Sequence, residues 1–252
     1  MHTTQAPVPI VLVHGAMHGP WCWECVVPPL EAAGHAVIAV DMPGRDPGSD
    51  PAQISLATYT DAVLGALKAA PAPALLVGHS LGGLSISTAA QARPEHVCEL
   101  VYLCAAVPQD GQALSAGPAN DEVAAQVRSD DNGRSFYFGP EYARAAFYGD
   151  CTPSQAQHAL RRLVRQPLRP LHEPVHLSAA CFGSIAKHYI LTRQDTMIPP
   201  AVQAAYAASL GAVQMHELDC GHSPFYARPR ELVELLRSIA AGAQTRTRSW
   251  PH

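Results

Sequence analysis

Charged side chains make up only 15% of these 252 residues, and aromatic ones only 6%. So low a charge density excludes a self-repelling, disordered chain. With 48% apolar residues, the protein can bury a sizeable core. There is no cationic excess: 17 Lys and Arg face 21 Asp and Glu, a net charge of −4 with histidines neutral. The basic residues are spread along the chain apart from a loose stretch over residues 161–169, which argues against nucleic acid or an anionic membrane as partner. No apolar run reaches the roughly 18–20 residues that span a bilayer. Residues 1–9 are polar, with no basic patch leading into an apolar one, so no secretory signal is expected and the protein is read as cytoplasmic. The seven cysteines are an odd number, several of them in apolar strand-like text, and are read as reduced core residues. Cys22-Trp23-Glu24-Cys25 has the spacing of a redox pair, but no second pair completes a zinc site.

What is present is rhythm. Residues 9–14, 36–41, 74–79 and 100–105 are short Val-, Ile- and Leu-rich runs bounded by Gly or Pro, which predicts buried strands. Between them, residues 21–33, 58–69 and 81–92 carry apolar positions at helical spacing. The alternation predicts an α/β fold with a mostly parallel, doubly wound sheet and helices on both faces. From about 109 to 183 the rhythm breaks into Pro- and Arg-rich helical text with clustered aromatics, and no strand is expected there. Strands at 188–192 and 213–218 and helices near 201–210 and 229–240 then resume it, and residues 244–252 read as a frayed tail. The simplest division is a core of residues 1–108 and 184–252 with a mainly helical lid, 109–183, inserted into it.

The chemistry centres on Gly78-His79-Ser80-Leu81-Gly82-Gly83, between the predicted strand 74–79 and the helix that follows. That context makes a nucleophile elbow, a strand-to-helix turn so sharp that glycines flank the serine where a Cβ would clash. It presents the Ser80 hydroxyl at the carboxyl end of the sheet, beside a helix N-terminus. Serine needs a base, and the base needs an orienting acid. The order Ser, Asp, His selects Asp195, after the strand at 188–192, and His222, in the loop after the last strand. Asp110 is the main rival acid; Asp219 lies too close to the histidine, and Asp41 better suits a turn. Oxyanion donors are assigned to the backbone N–H groups of Leu81 and of Ala16, in the loop 14–19 where Gly15 permits a tight turn. His14 and His18 are read as structural hydrogen bonders. His172-Glu173-Pro174-Val175-His176 matches the H-E-x-x-H zinc motif in letters only. That motif requires a helix, which Pro174 would break at a cost of about 3 kcal/mol, so no metal is expected.

With these residues in place, the chain resembles the α/β-hydrolases of the plant methylesterase and hydroxynitrile lyase branch, together with their bacterial esterase relatives. The carrying segments are 11–23, 78–83, 192–199 and 221–224, the first fairly specific to the branch. The resemblance covers most of the core, and residues 148–174 also resemble the branch's lid. It implies a serine carboxylesterase of small to medium apolar methyl or aryl esters, working through an acyl-enzyme on Ser80. Gly15, Met17, Phe136, Tyr137 and Phe147 are then candidates for the substrate pocket. The lyases resemble this chain but carry threonine at Gly15 and lysine at Ser223, and Ser223 cannot supply the cation that departing cyanide needs. A lyase using the same triad, a thioesterase or acyl-transferase, and a non-catalytic small-molecule receptor stay open. None needs a cofactor. The partner expected is a small-molecule ester, with a homodimer left open.

Overall fold

A computed structural model describes residues 6–46, 48–117 and 121–248. The sequence readings for residues 1–5 and 249–252 lie outside these. In chain order the elements are β1 (Ile10–Val13), α1 (Val27–Ala32), β2 (Val37–Val40), α2 (Leu56–Ala69), β3 (Ala74–His79), α3 (Gly82–Ala92) and β4 (Val97–Leu103). The segment beyond β4 holds α4 (Asp121–Ala124), β5 (Val127–Asp130), β6 (Ser135–Phe138), α5 (Pro140–Tyr148), α6 (Pro153–Leu160), β7 (Gln166–Pro167) and α7 (Arg169–His172). The chain closes with β8 (Ala186–Thr192), α8 (Pro200–Ser209), β9 (Val213–Leu218), α9 (Pro224–Ala227) and α10 (Pro229–Arg248).

Six strands form one sheet in the order β2-β1-β3-β4-β8-β9, and every pairing in it is parallel. Its two faces feed separate cores, because successive residues of a strand point to opposite sides. Ile10 and Leu12 pack with Trp23, Leu30 and the α10 residues Leu232, Leu236 and Ile239. Val11 and Val13 pack with Tyr59, Val63 and Leu67 of α2 and Ile86 of α3. Both faces are covered, so β1 is apolar throughout rather than alternating. After β1 the chain steps outward to β2 and then back past β1 to β3. That reversal opens a crevice between the carboxyl ends of β1 and β3, where α/β sheets bind ligands.

Three expectations need correction. The segment between β4 and β8 is mostly helical but also holds an antiparallel three-stranded sheet, β5-β6-β7. Its strands are only two to four residues long, and β5 is exposed and polar apart from Val127, so no buried strand pattern marks them. The helix expected over 21–33 is a 3-10 turn (Pro20–Trp23) followed by α1, whose first turn accommodates the adjacent prolines 28 and 29. The helix expected over 229–240 runs on to Arg248, through part of the tail read as frayed.

Candidate active site

The turn after β3 is as tight as its glycines imply. Ser80 sits at φ +52°, a region that costs a non-glycine residue roughly 1–3 kcal/mol. Backbone bonds hold it there: Ser80 N–H donates to Leu103 C=O at 3.1 Å, and Ser80 C=O accepts from the N–H groups of Gly83 and Ala106, both at 3.1 Å. A Cβ at Gly78 would lie 2.8 Å from the Gly82 backbone, so no other residue fits the bend.

The loops after β8 and β9 meet this turn. Ser80 Oγ lies 3.0 Å from His222 Nε2, and His222 Nδ1 lies 2.7 Å from Asp195 Oδ2. Asp195 is held by four further donors. Its Oδ1 accepts from the N–H groups of Met197 (2.8 Å) and Ile198 (2.9 Å), and its Oδ2 from the Thr192 hydroxyl (3.1 Å) and Gln203 Nε2 (3.2 Å). A carboxylate so surrounded is fixed as an acceptor, which leaves the proton of the pair on His222 Nδ1 and the Nε2 lone pair facing Ser80. His79 Nε2 donates to the His222 carbonyl at 2.8 Å and pins the backbone beneath the ring. Phe147 stacks over that ring at 5.8 Å between centroids.

The loop after β1 closes the other side. A Cβ on Gly15 would lie 2.8 Å from Ser80 Cβ and 2.9 Å from His79 Nδ1, so the loop rests directly on the serine. Gly15 is therefore a close-approach residue. Among the described residues, no acceptor meets the N–H of Ala16 or of Leu81. Met17 and Tyr137 line an apolar cavity of about 330 Å³ that Phe138, Leu160 and Leu163 also bound. Phe136 instead packs edge-on against Phe138, and Phe147 meets His18 edge-on while stacking on His222.

The rival residues point elsewhere. Asp110 is exposed and accepts from the Leu177 N–H; Asp219 is exposed beside Arg193; Asp41 is exposed. His172 ends α7, Glu173 turns extended to cap α2 through the Leu56 N–H, and His172 and His176 are both exposed. His79, Cys104 and His222 bring donor atoms within 4.8 Å of one another, but the His79 ring and the Cys104 thiol both donate to the His222 carbonyl. Burial pushes that thiol well above its usual range, away from the thiolate a metal would need. Cys22 and Cys25 form no disulfide, and burial raises both thiols.

Three histidines around the site are buried and neutral. Burial holds His14 and His79 well below the ordinary imidazole range and pushes His18 down to about 3. The unfolded chain binds protons at these rings below pH about 6.5, whereas the folded protein does not. Their stabilising effect is therefore complete above that pH and lost as the pH falls, by up to about 1.4 kcal/mol per pH unit for each ring. The melting temperature should stay level between about pH 8 and 7 and drop steeply toward about pH 4–5. Calorimetry across that range checks this, and a flat profile would refute it.

The sequence reading missed Thr192, Gln203, Tyr148 and Gln166, which touch the site residues or the loop after β1. Tyr148 and Gln166 act on residues more than a hundred positions away, and Thr192 and Gln203, though near Asp195 in sequence, have no residue type that marks a role at the carboxylate.

The profile of the alpha/beta hydrolase family matches residues 10–235. A rice esterase named PIR7B (Oryza sativa subsp. japonica) is 30% identical, over 91% of this chain and 94% of that protein. Methylesterase 3 of Arabidopsis thaliana is 31% identical, over 92% and 95%. Among solved structures, a pyrethroid hydrolase from Sphingobium faniae superposes with a TM-score of 0.85 at 30% identity, covering 93% of this chain and 97% of that one. Among the described residues, no helix is long and apolar enough to cross a membrane.

Proposed function

From the premise that this chain belongs to the alpha/beta hydrolase family, we propose that it is a serine carboxylesterase cleaving small to medium apolar esters. The observation that carries the reading is the continuous chain Ser80–His222–Asp195, set beside two unclaimed backbone N–H groups.

Ser80 Oγ attacks the ester carbonyl while its proton passes to His222 Nε2. The oxygen that becomes negative lies toward the N–H groups of Ala16 and Leu81, which have no other acceptor to leave and so cost little to reorganise. Asp195 holds the Nδ1 proton and stabilises the imidazolium. Collapse of the tetrahedral adduct breaks the C–O bond, and His222 returns its proton to the departing alcohol. Water then gives a proton to His222 and attacks the acyl carbon; the C–Oγ bond breaks, the acid leaves, and His222 returns its proton to Ser80 Oγ. Every proton is accounted for by His222 and water, so the chemistry calls for no cofactor.

Residues 1–108 and 184–252 serve as the core and 109–183 as a lid over it. Met17, in the loop that rests on Ser80, also lines the mainly apolar cavity with Tyr137 and Phe138, and that shared wall supports an aryl or other bulky hydrocarbon group on the ester. Relatives named as an esterase, a methylesterase and a pyrethroid hydrolase support ester cleavage.

A fluorophosphonate probe tests the reading. It should add one phosphonyl group, located by mass spectrometry on the Ser80 peptide, and turnover of p-nitrophenyl butyrate should fall in proportion to labelling. Turnover that survives complete labelling of Ser80 would overturn it. So would cyanide release from cyanohydrins by a protein that leaves esters intact.

A further inference from the structure

The loop after β1 is strained at Met17, whose φ of +63° is rare for a residue with a long side chain. Something must hold it, and the contacts come from the segment inserted between β4 and β8. The Met17 N–H donates to Gln166 Oε1 at 3.3 Å, and the Met17 C=O accepts from the Val164 N–H at 2.9 Å. On the same peptide unit, the Ala16 C=O accepts from His18 Nδ1 at 2.7 Å. That ring is fixed in turn by the Tyr148 hydroxyl, which donates to His18 Nε2 at 2.7 Å. Both polar atoms of the Ala16–Met17 peptide are thus gripped, one directly from the insert and one through His18.

Gln166 is built for this. It is fully buried, and its Nε2 donates to the Tyr59 hydroxyl (2.8 Å) and the Pro167 C=O (3.0 Å), so Oε1 faces Met17 without freedom to flip. Arg45 Nη2 donates to the same Oε1 at 2.9 Å. The hydrogen bonds of Arg45 all go to neutral oxygens, those of Tyr59, Gln166 and the Arg165 backbone. A guanidinium spent on a neutral amide polarises that amide oxygen and strengthens its hold on the Met17 N–H.

We infer that Gln166 is a positioning residue for the oxyanion site, keeping the Ala16 N–H in register with that of Leu81, so that half of the site is complete only when the insert is seated. This rests on the acyl-transfer reading proposed above.

The test compares Gln166→Met, similar in shape but with only a weak thioether acceptor, with Gln166→Glu, which keeps an oxygen toward Met17. Gln166→Met should lower kcat roughly 10- to 100-fold, a part of the loss seen when an oxyanion donor is removed, with KM within about twofold. The inhibition constant of a trifluoromethyl ketone, bound as the hemiketal oxyanion on Ser80, should rise by the same factor. The matching neutral alcohol should bind unchanged, and Gln166→Glu should recover part of the activity, since it restores the acceptor toward Met17 but not the donor to the Pro167 C=O. Tyr148→Phe, which frees the His18 ring, should show the same signature more weakly and serves if Gln166→Met fails to fold. A folded Gln166→Met enzyme with wild-type kcat would overturn the inference, as would equal weakening of ketone and alcohol. Absence of fluorophosphonate labelling at Ser80 in the wild-type protein would instead bring down the acyl-transfer reading itself.

Discussion

Ser80→Ala should lower kcat for p-nitrophenyl butyrate by about 10⁶-fold while leaving the folded protein intact. The hydroxyl is the only part of Ser80 that reaches His222, whereas the turn is held by Ser80 backbone bonds that alanine keeps. The loss is large because nucleophile and base act as a unit. His222→Ala should cost about as much, and the double variant no more than either single one. What survives should come from the N–H groups of Ala16 and Leu81, still present to polarise a bound carbonyl. Steady-state kinetics on all three variants, with circular dichroism to show folding, checks this. A Ser80→Ala enzyme within tenfold of wild type would mean that a different group attacks.

Asp195→Asn should reduce kcat by about 10⁴-fold with little change in KM. The reason lies in the donors that surround the carboxylate. Oδ1 accepts two backbone N–H groups, so an asparagine must place its carbonyl oxygen there. Its NH₂ group then takes the Oδ2 position, where His222 Nδ1–H, the Thr192 hydroxyl and Gln203 Nε2 all need an acceptor. His222 must move its proton to Nε2 to accept from the amide, and it then presents a donor, not a base, to Ser80. Kinetics together with the imidazole proton resonances of the variant test this. A variant that keeps both its activity and the Nδ1 proton signal would show that another group orients the ring.

The strands of the main sheet were legible because each is short, apolar and bounded by Gly or Pro; β3, for example, is ALLVGH and buried from end to end. Its parallel order could be anticipated from the helices between strands. Strands β5 to β7 carried no such mark, since a pair such as Ser135 and Pro167 becomes a strand pairing only through contact across the intervening helices α5 and α6 and their loops. The site divides in the same way. Ser80 announces itself through local strain, because its flanking glycines are needed within a few residues of it. Asp195 and His222 follow from their places after particular strands, and the structure brings both within hydrogen-bond reach of their partners. Gln166 sits between Arg165 and Pro167 in sequence and has no local distinction. Its importance is a matter of the 149 positions that separate it from Met17.

The separation of Ser80 from His222 by 142 positions has a consequence for how the molecule comes into being. The loop bearing His222 follows β9, the last strand in chain order, so it is the last piece of the crevice to be made by the ribosome. Contacts that span so much chain pay their loop-closure entropy before they stabilise anything, and they form late in folding. A nascent chain therefore holds Ser80 with no base beside it until nearly the whole sheet has formed, and the turn takes up its strain only once Leu103 and Ala106 are in place. On the proposed mechanism, ester cleavage should begin only when the native topology is complete.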